Sequence, residues 1–282
     1  MHLILRVGRS GRFDRCGVCV KYRRKRIPLV AGGTTLFQEP LSRIALFLDF
    51  DGTLVRIADR PDLVVVTPET RAMIEALIDG THAAVGIVSG RPLAEIDGFL
   101  DPLILPGAGS HGVERRDARG AVMPVVDKGA ALERATGRLR DYAGQRRLLL
   151  EEKRGGCALH FRDAPRLESE ARALVDALIG ESAGLRAIHG HMVAEVSLAG
   201  LDKGSALDAF MGEAPFAGRI PVAIGDDTTD EDAFRAAQGR GGLGIRIGGA
   251  KTCAKARFTD IDTLHRWLAG AADSGKFVLE TA

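Results

Sequence analysis

Ile44-Ala-Leu-Phe-Leu-Asp49-Phe-Asp51-Gly-Thr53-Leu54 decides how the chain is read. Five consecutive apolar residues bounded by polar ones predict a strand buried on both faces, which is the habit of a parallel sheet covered by helices. The run ends in two carboxylates separated by one residue, with Gly52 supplying a turn that lets both face one crevice. The same pattern recurs downstream. Thr67 as N-cap and Pro68 at the first helical position open a helix that carries Met73, Ile74, Leu77 and Ile78 at helical spacing until Gly80. Ala83 to Val88 is the next apolar strand and ends in Ser89-Gly90-Arg91-Pro92; a helix follows. Ile220 to Ile224 runs into Gly225-Asp226-Asp227-Thr-Thr-Asp230-Glu231, behind a helix that opens at Lys203. Strand and helix in alternation predict an α/β fold, a doubly wound parallel sheet of Rossmannoid type. Ligands of such sheets bind beyond the strand carboxyl ends, where every one of these polar clusters falls.

Between about 116 and 198 the pattern loosens. A helical stretch from Lys128 to Gln145 precedes Leu148-Leu-Leu150, the alternating Cys157 to Phe161, a helix over 169–179 and the alternating Met192 to Leu198. Alternation predicts strands with one exposed face, so this is read as an inserted, smaller α/β domain. The domains expected are a core over 41–115 and 199–270, a cap over 116–198, a basic extension over 1–40 without order, and a C-terminal tail over 271–282. Residues 105–114 read as one strand and loop. Arg154-Gly155-Gly156 reads as a turn loosened by glycine.

The chain has 282 residues, 45% hydrophobic and 27% charged, which excludes disordered and disulfide-scaffold classes. No apolar run reaches the roughly 20 residues of a membrane span. Four cysteines, at 16, 19, 157 and 253, are too few and too scattered for a disulfide framework and fit a reducing cytoplasm. Residues 1–40 carry a net charge of +7 and the remainder −5. A mildly acidic body has no electrostatic footprint for nucleic acid, so neither nucleic acid nor membrane is expected as a partner, and a monomer is expected. The basic segment reads as a tether, a targeting peptide or an upstream stretch translated from an early start codon. Cys16-Gly-Val-Cys19 has metal-ligand spacing but no second pair to complete a zinc site.

Asp49, Asp51, Thr53, Ser89, Arg91, Lys203, Asp226, Asp227 and Asp230 all gather at one crevice in this reading. Clustered carboxylates repel unless a cation sits among them, and an all-oxygen set without histidine or cysteine points to Mg²⁺. Lysine and a small hydroxyl suit phosphate oxygens, so the chemistry predicted is phosphoryl transfer with a carboxylate nucleophile.

Asp49-Phe-Asp51-Gly-Thr53, Ser89-Gly-Arg91, Lys203-Gly and Gly225-Asp-Asp-Thr-Thr-Asp230-Glu231, taken together, resemble the four motifs of haloacid-dehalogenase-type phosphatases. Gly109-Ser-His111-Gly-Val-Glu114, Glu151-x-Lys153 and Leu159-His160-Phe-Arg162 narrow the resemblance to the trehalose-phosphate phosphatases, over residues 44–268. The resemblance implies Asp49 as nucleophile and metal ligand. It implies Asp51 as the acid and base whose carbonyl also reaches Mg²⁺, and Ser89 and Lys203 as the phosphoryl grip. Asp226 and Asp230 complete the metal set, and Thr53 and Arg91 join the substrate side. Glu151, Lys153, Arg162 and Glu195 would meet the sugar from the cap, with His111 and Glu114 supporting from the core. The substrate implied is trehalose 6-phosphate; another sugar phosphate such as sucrose 6-phosphate, or an inactive sugar-phosphate sensor, stays open.

Overall fold

The computed structural model describes residues 35–58, 60–123, 129–153, 155–190 and 192–280. In chain order the elements begin β1 (Thr35–Pro40), β2 (Ile44–Leu48), α1 (Pro68–Gly80), β3 (Val85–Val88), α2 (Leu93–Leu100), β4 (Gly107–Gly109) and β5 (Glu114–Arg116). Next come α3 (Gly129–Arg146), β6 (Leu149–Lys153), β7 (Gly156–His160), α4 (Glu168–Gly180), β8 (Leu185–Gly190) and β9 (Val193–Leu198). The chain closes with α5 (Lys203–Phe210), β10 (Ile220–Gly225), α6 (Asp230–Gly239), β11 (Leu243–Ile247), β12 (Ala256–Phe258), α7 (Ile261–Ser274) and β13 (Lys276–Glu280).

Seven strands form the main sheet in the order β12-β11-β10-β2-β3-β4-β5, parallel except for the last pair. Its centre is β2, wholly buried, and the reason is visible in how its side chains alternate. Ile44, Leu46 and Leu48 pack with α1, α2 and α7 on one face. Ala45 and Phe47 pack with α5 and α6 on the other. An uninterrupted apolar strand is stable only with both faces covered, as it is here. Thr67 caps α1 by accepting a hydrogen bond from the Thr70 N–H, with Pro68 at the first turn, as its sequence predicts.

A second, antiparallel sheet has the order β6-β7-β9-β8. The register places Glu151, Ala158, Glu195 and Ile188 in one cross-strand row, so their side chains share a face. The opposite face, with Cys157, Leu159, Ala194 and Val196, packs on Leu132 and Leu139 of α3 and on Ala171 and Val175 of α4. One face is thus apolar and helix-covered, and the other is left for the cleft.

Several expectations change. Thr35–Pro40 and Lys276–Glu280, read as parts of an extension and a tail, pair with each other as the antiparallel ladder β1–β13. Phe277 and Leu279 of that ladder are fully buried in the main core. Neither segment is long enough to signal a strand alone; each needs a partner from the other end of the chain. The stretch 105–114 is two strands, β4 and β5, reversed by a tight turn at Ser110–Gly112, and β5 carries the main sheet one residue past the expected boundary. Arg116 fixes that end by a bidentate ion pair to Asp97, both bonds 2.7 Å. Strand β8 was not anticipated, because Leu185-Arg-Ala-Ile-His-Gly190 mixes polar residues into a short run. Residues 1–34, with the basic cluster and Cys16 and Cys19, lie outside the described residues. Among the described residues no helix is long and apolar enough to cross a membrane.

Phe277→Ala is expected to lower unfolding stability by about 3–5 kcal/mol through lost burial and the cavity left behind. Denaturant titration measures it, and a loss below about 1 kcal/mol would show that the terminal ladder is dispensable.

Candidate active site

Parallel register sets the site. Leu48 pairs with Ile87 of β3 and with Ile224 of β10, so Asp49, Ser89 and Asp226 emerge from the sheet at one level. The Asp49 N–H donates to the Ile224 carbonyl at 2.9 Å and the Ser89 N–H to the Ala108 carbonyl at 2.9 Å, which continues the ladder up to the functional residues. Asp202 caps α5 through a reciprocal pair of bonds with Ser205, and so fixes Lys203 as that helix's first residue.

The Lys203 side chain is 3% exposed and its ammonium donates to Asp49 Oδ1 at 2.7 Å and to Asp230 Oδ1 at 2.6 Å. Burial opposes its charge, but Asp230 and Asp49 outweigh burial and hold its pKa above the ordinary lysine value. Burial pushes the Asp49 carboxyl well up, Lys203 pulls it back, and Asp230 and Asp226 add repulsion. Asp226 is pushed up to about 6 by burial, then by Asp230 and Asp227. One ammonium therefore serves three carboxylates.

Asp49, Asp226 and Asp230 each offer an oxygen within 4.8 Å of the others. An all-oxygen set with surplus negative charge fits a hard divalent cation. Gly52, at φ +73°, leaves room for the Asp226 carboxylate: a Cβ there would fall 2.2 Å from Asp226 Oδ2. Asp230 also accepts from the Asp227 N–H at 2.9 Å, tying down the loop that carries Asp226.

Asp51 turns away from this cluster. Its carboxylate is held by Arg91 through bonds of 2.6 and 2.8 Å, and the Arg91 guanidinium lies over the rings of Phe50 and Phe99. Asp51 as a metal ligand is thus limited to its backbone, because the side chain is engaged elsewhere.

A cleft of about 740 Å³ opens above these residues. Its walls include Asp49, Asp51, Ser89, Arg91, His111 and Asp226 from loops beyond the main-sheet strands, Lys203 from the start of α5, and Glu151 and Glu195 from the second sheet. Glu151 bonds to the His160 ring at 3.0 Å on the same face. The adjacent Glu152 reaches the rim but is bound by Arg140 of α3.

Three expected substrate residues, Thr53, Glu114 and Arg162, do not line the cleft, and Lys153 is placed only by its backbone. Thr53 is fully buried and its hydroxyl has no hydrogen-bond partner among the described residues; its carbonyl bonds to the His265 ring at 2.9 Å. Glu114 is 5% exposed and bonds within the protein. Arg162 is exposed two residues beyond β7, at the opposite end from Gly156, which lines the cleft. Lys153 ends β6 opposite Gly156.

The sequence reading missed Ser110, Ser197, Ile57 and Ile188, all of which line the cleft. It also missed Arg246, which is 5% exposed and donates to the Asp227 carbonyl at 2.9 Å and to Glu231 at 3.2 Å. An arginine inside the apolar strand Leu243–Ile247 was the available signal, since a buried cation needs a partner.

A family model for trehalose-phosphatase matches residues 47–259, a span that contains all of these residues. The chain belongs to the trehalose-phosphatase family. It is 41% identical over 213 residues to a probable trehalose-phosphate phosphatase of Sinorhizobium fredii, covering 74% of this chain and 79% of that one. To the trehalose-6-phosphate phosphatase of Escherichia coli it is 35% identical over 231 residues, covering 80% and 86%. A solved trehalose-6-phosphate phosphatase related protein is 27% identical with a TM-score of 0.62, covering 82% of this chain and 98% of that one. A haloacid-dehalogenase-like hydrolase from B. subtilis, 14% identical with a TM-score of 0.60, covers 82% and 99% and shares the fold. This member of the trehalose-phosphatase family is a phosphoric monoester hydrolase with a haloacid-dehalogenase-like α/β fold.

A carboxyl raised from 3.8 to about 6 binds its proton more tightly in the folded than in the unfolded chain. In the metal-free protein its contribution is therefore full below about pH 4 and is lost as pH rises through about 6. In EDTA, Asp226→Asn is expected to melt above wild type near pH 7.5, with the gap closing toward pH 4. Calorimetry across that range checks it, and a pH-independent gap would contradict the assignment.

Proposed function

We propose that the protein is a cytoplasmic, monomeric, Mg²⁺-dependent phosphatase that hydrolyses trehalose 6-phosphate to trehalose and phosphate, the last step of trehalose synthesis. The observation that carries this reading is the buried Lys203 between Asp49 and Asp230, facing a cleft whose far wall presents Glu151 and Glu195. The second sheet with its helices then serves as a cap domain over the core.

Asp49 is the nucleophile. Its free carboxylate oxygen attacks phosphorus, an Asp49–phosphate bond forms, and the bond from phosphorus to the sugar oxygen breaks. Asp51 delivers a proton to that oxygen and trehalose leaves. Asp51 next takes a proton from water, whose oxygen attacks phosphorus, breaks the aspartyl-phosphate and restores Asp49. Arg91 sets where Asp51 points, through its two bonds and its place against Phe50 and Phe99. Lys203 and Ser89 grip the equatorial phosphoryl oxygens as charge moves among them. Asp49, Asp226, Asp230 and the Asp51 carbonyl would hold Mg²⁺, which supplies positive charge against the phosphoryl oxygens.

Trehalose offers only hydroxyls and ether oxygens, so recognition needs charged acceptors and donors rather than an apolar slot. Glu151 and Glu195 accept from sugar hydroxyls, and Lys153 is assigned beside them. Thr53 supports the turn after the nucleophile, and Arg162 has no place in the cleft as it stands.

Phosphate release from a panel of sugar phosphates tests the reading. Trehalose 6-phosphate is expected to be preferred over sucrose 6-phosphate and glucose 6-phosphate, and EDTA to abolish turnover. Asp49→Asn is expected to cost about a thousandfold or more in kcat. Preference for another sugar phosphate would overturn the cap assignment; full activity of Asp49→Asn or in EDTA would overturn the mechanism.

A further inference from the structure

Glu114 is buried beside the cleft yet does not line it. Its Oε2 accepts from the Leu93 N–H at 3.1 Å, and its Oε1 accepts from the Ser110 hydroxyl at 3.0 Å. Leu93 is the first residue of α2, whose N-cap is Pro92, a residue with no side-chain group to cap it. A carboxylate from another strand therefore performs the capping, where the partial positive charge of the helix start also favours an anion.

The other bond reaches a strained turn. Ser110 and His111 have φ of +50° and +56°, two consecutive non-glycine residues in the left-handed region, which persist only where the surroundings hold them. The same turn is laced to the Ser89–Arg91 loop. The Ser110 N–H donates to the Arg91 carbonyl at 2.9 Å and the His111 N–H to the Ser89 carbonyl at 3.0 Å. Beyond the strand ladder that holds the Ser89 N–H, Ser89 and Arg91 are thus tied to a loop whose far side is fastened by Glu114. Val113, next to Glu114, bears against the cap: a Cβ on Gly155 would fall 2.0 Å from Val113 Cγ2. Gly155 therefore gives close approach to the core, while Gly156 lets β7 lie close against the Val196 backbone of β9.

We propose that Glu114 is a positioning residue that clamps the start of α2 to the Ser110–His111 turn, holding Ser89 and Arg91 in register with Asp49 and Asp51, and that it does not contact the sugar. The inference rests on the phosphatase reading of the cleft. It gives a physical content to the supporting role from the core that the sequence resemblance implied for this residue.

Two substrates separate the roles: trehalose 6-phosphate and p-nitrophenyl phosphate, which has no sugar. Glu114→Ala is expected to lower kcat on both by the same factor, about 10- to 100-fold for a displacement of the order of 1 Å, with KM for the sugar phosphate within about twofold. Glu114→Gln is expected to stay within about threefold of wild type, because its amide oxygen can accept from Leu93 and its NH₂ can donate to the Ser110 hydroxyl. A raised KM for the sugar phosphate with unchanged turnover of the aryl phosphate would overturn the proposal, as would Glu114→Gln being as damaging as Glu114→Ala. Amide hydrogen exchange at Leu93 gives a readout independent of activity: faster in Glu114→Ala, unchanged in Glu114→Gln. Unchanged exchange in Glu114→Ala overturns the clamp. If Glu114→Ala does not fold, Ser110→Ala removes one of the two bonds and is expected to lower kcat on both substrates in the same direction, by less. Should wild type hydrolyse neither phosphate, the phosphatase reading falls while the exchange result still decides the clamp.

Discussion

A single buried ammonium group organises the catalytic end of this molecule. Lys203 is enclosed with Asp49 and Asp230, and neither carboxylate would be tolerated there without it. The lysine comes from a helix start and the aspartates from the ends of two other elements, so the ion cluster ties α5, β2 and α6 together. Removing one partner would leave an uncompensated charge in a dry site, which makes the cluster a constraint on folding as well as on chemistry. The charge it leaves unbalanced, chiefly at Asp226, is what gives the site an appetite for a divalent cation.

Two layers of support surround that cluster, and they differ in kind. Nearest the sheet, backbone hydrogen bonds carry the strand ladder past its last apolar residue, so Asp49 and Ser89 inherit the rigidity of β2 and β3. Farther out, side chains substitute for missing backbone partners: Glu114 at the start of α2, Arg246 under Asp227, His265 under Thr53. These outer groups touch no substrate in the proposed reaction, yet each fixes a loop that does.

Much of this is legible in the amino-acid sequence itself. Ile44–Leu48 announced a central parallel strand because nothing else explains five apolar residues followed by two aspartates. Lys203 and Asp226 were placed at the crevice from their positions beside other apolar runs. Thr53 and Glu114 are buried and absent from the cleft lining, which a sequence does not reveal, because a polar residue inside a motif looks the same in one dimension whether it faces a ligand or the protein's own backbone. Arg162 illustrates another limit, since alternation tells which face a strand residue takes but not where along the strand the cleft ends. Strand β1 and strand β13 escaped notice because their stabilising partner is the other one, and no local window contains both.

That last pairing has a temporal side. Thr35 meets Glu280, so about 240 residues of chain must exist before the ladder can close. At a ribosomal rate of about 5–20 residues per second, β1 waits on the order of ten to fifty seconds for its mate. The hairpins β6–β7 and β8–β9, whose contacts are local, are complete well before then. The inserted lobe is therefore positioned to become native while the lobe that surrounds it is still open, with the final five strand residues acting as the clasp that ends assembly.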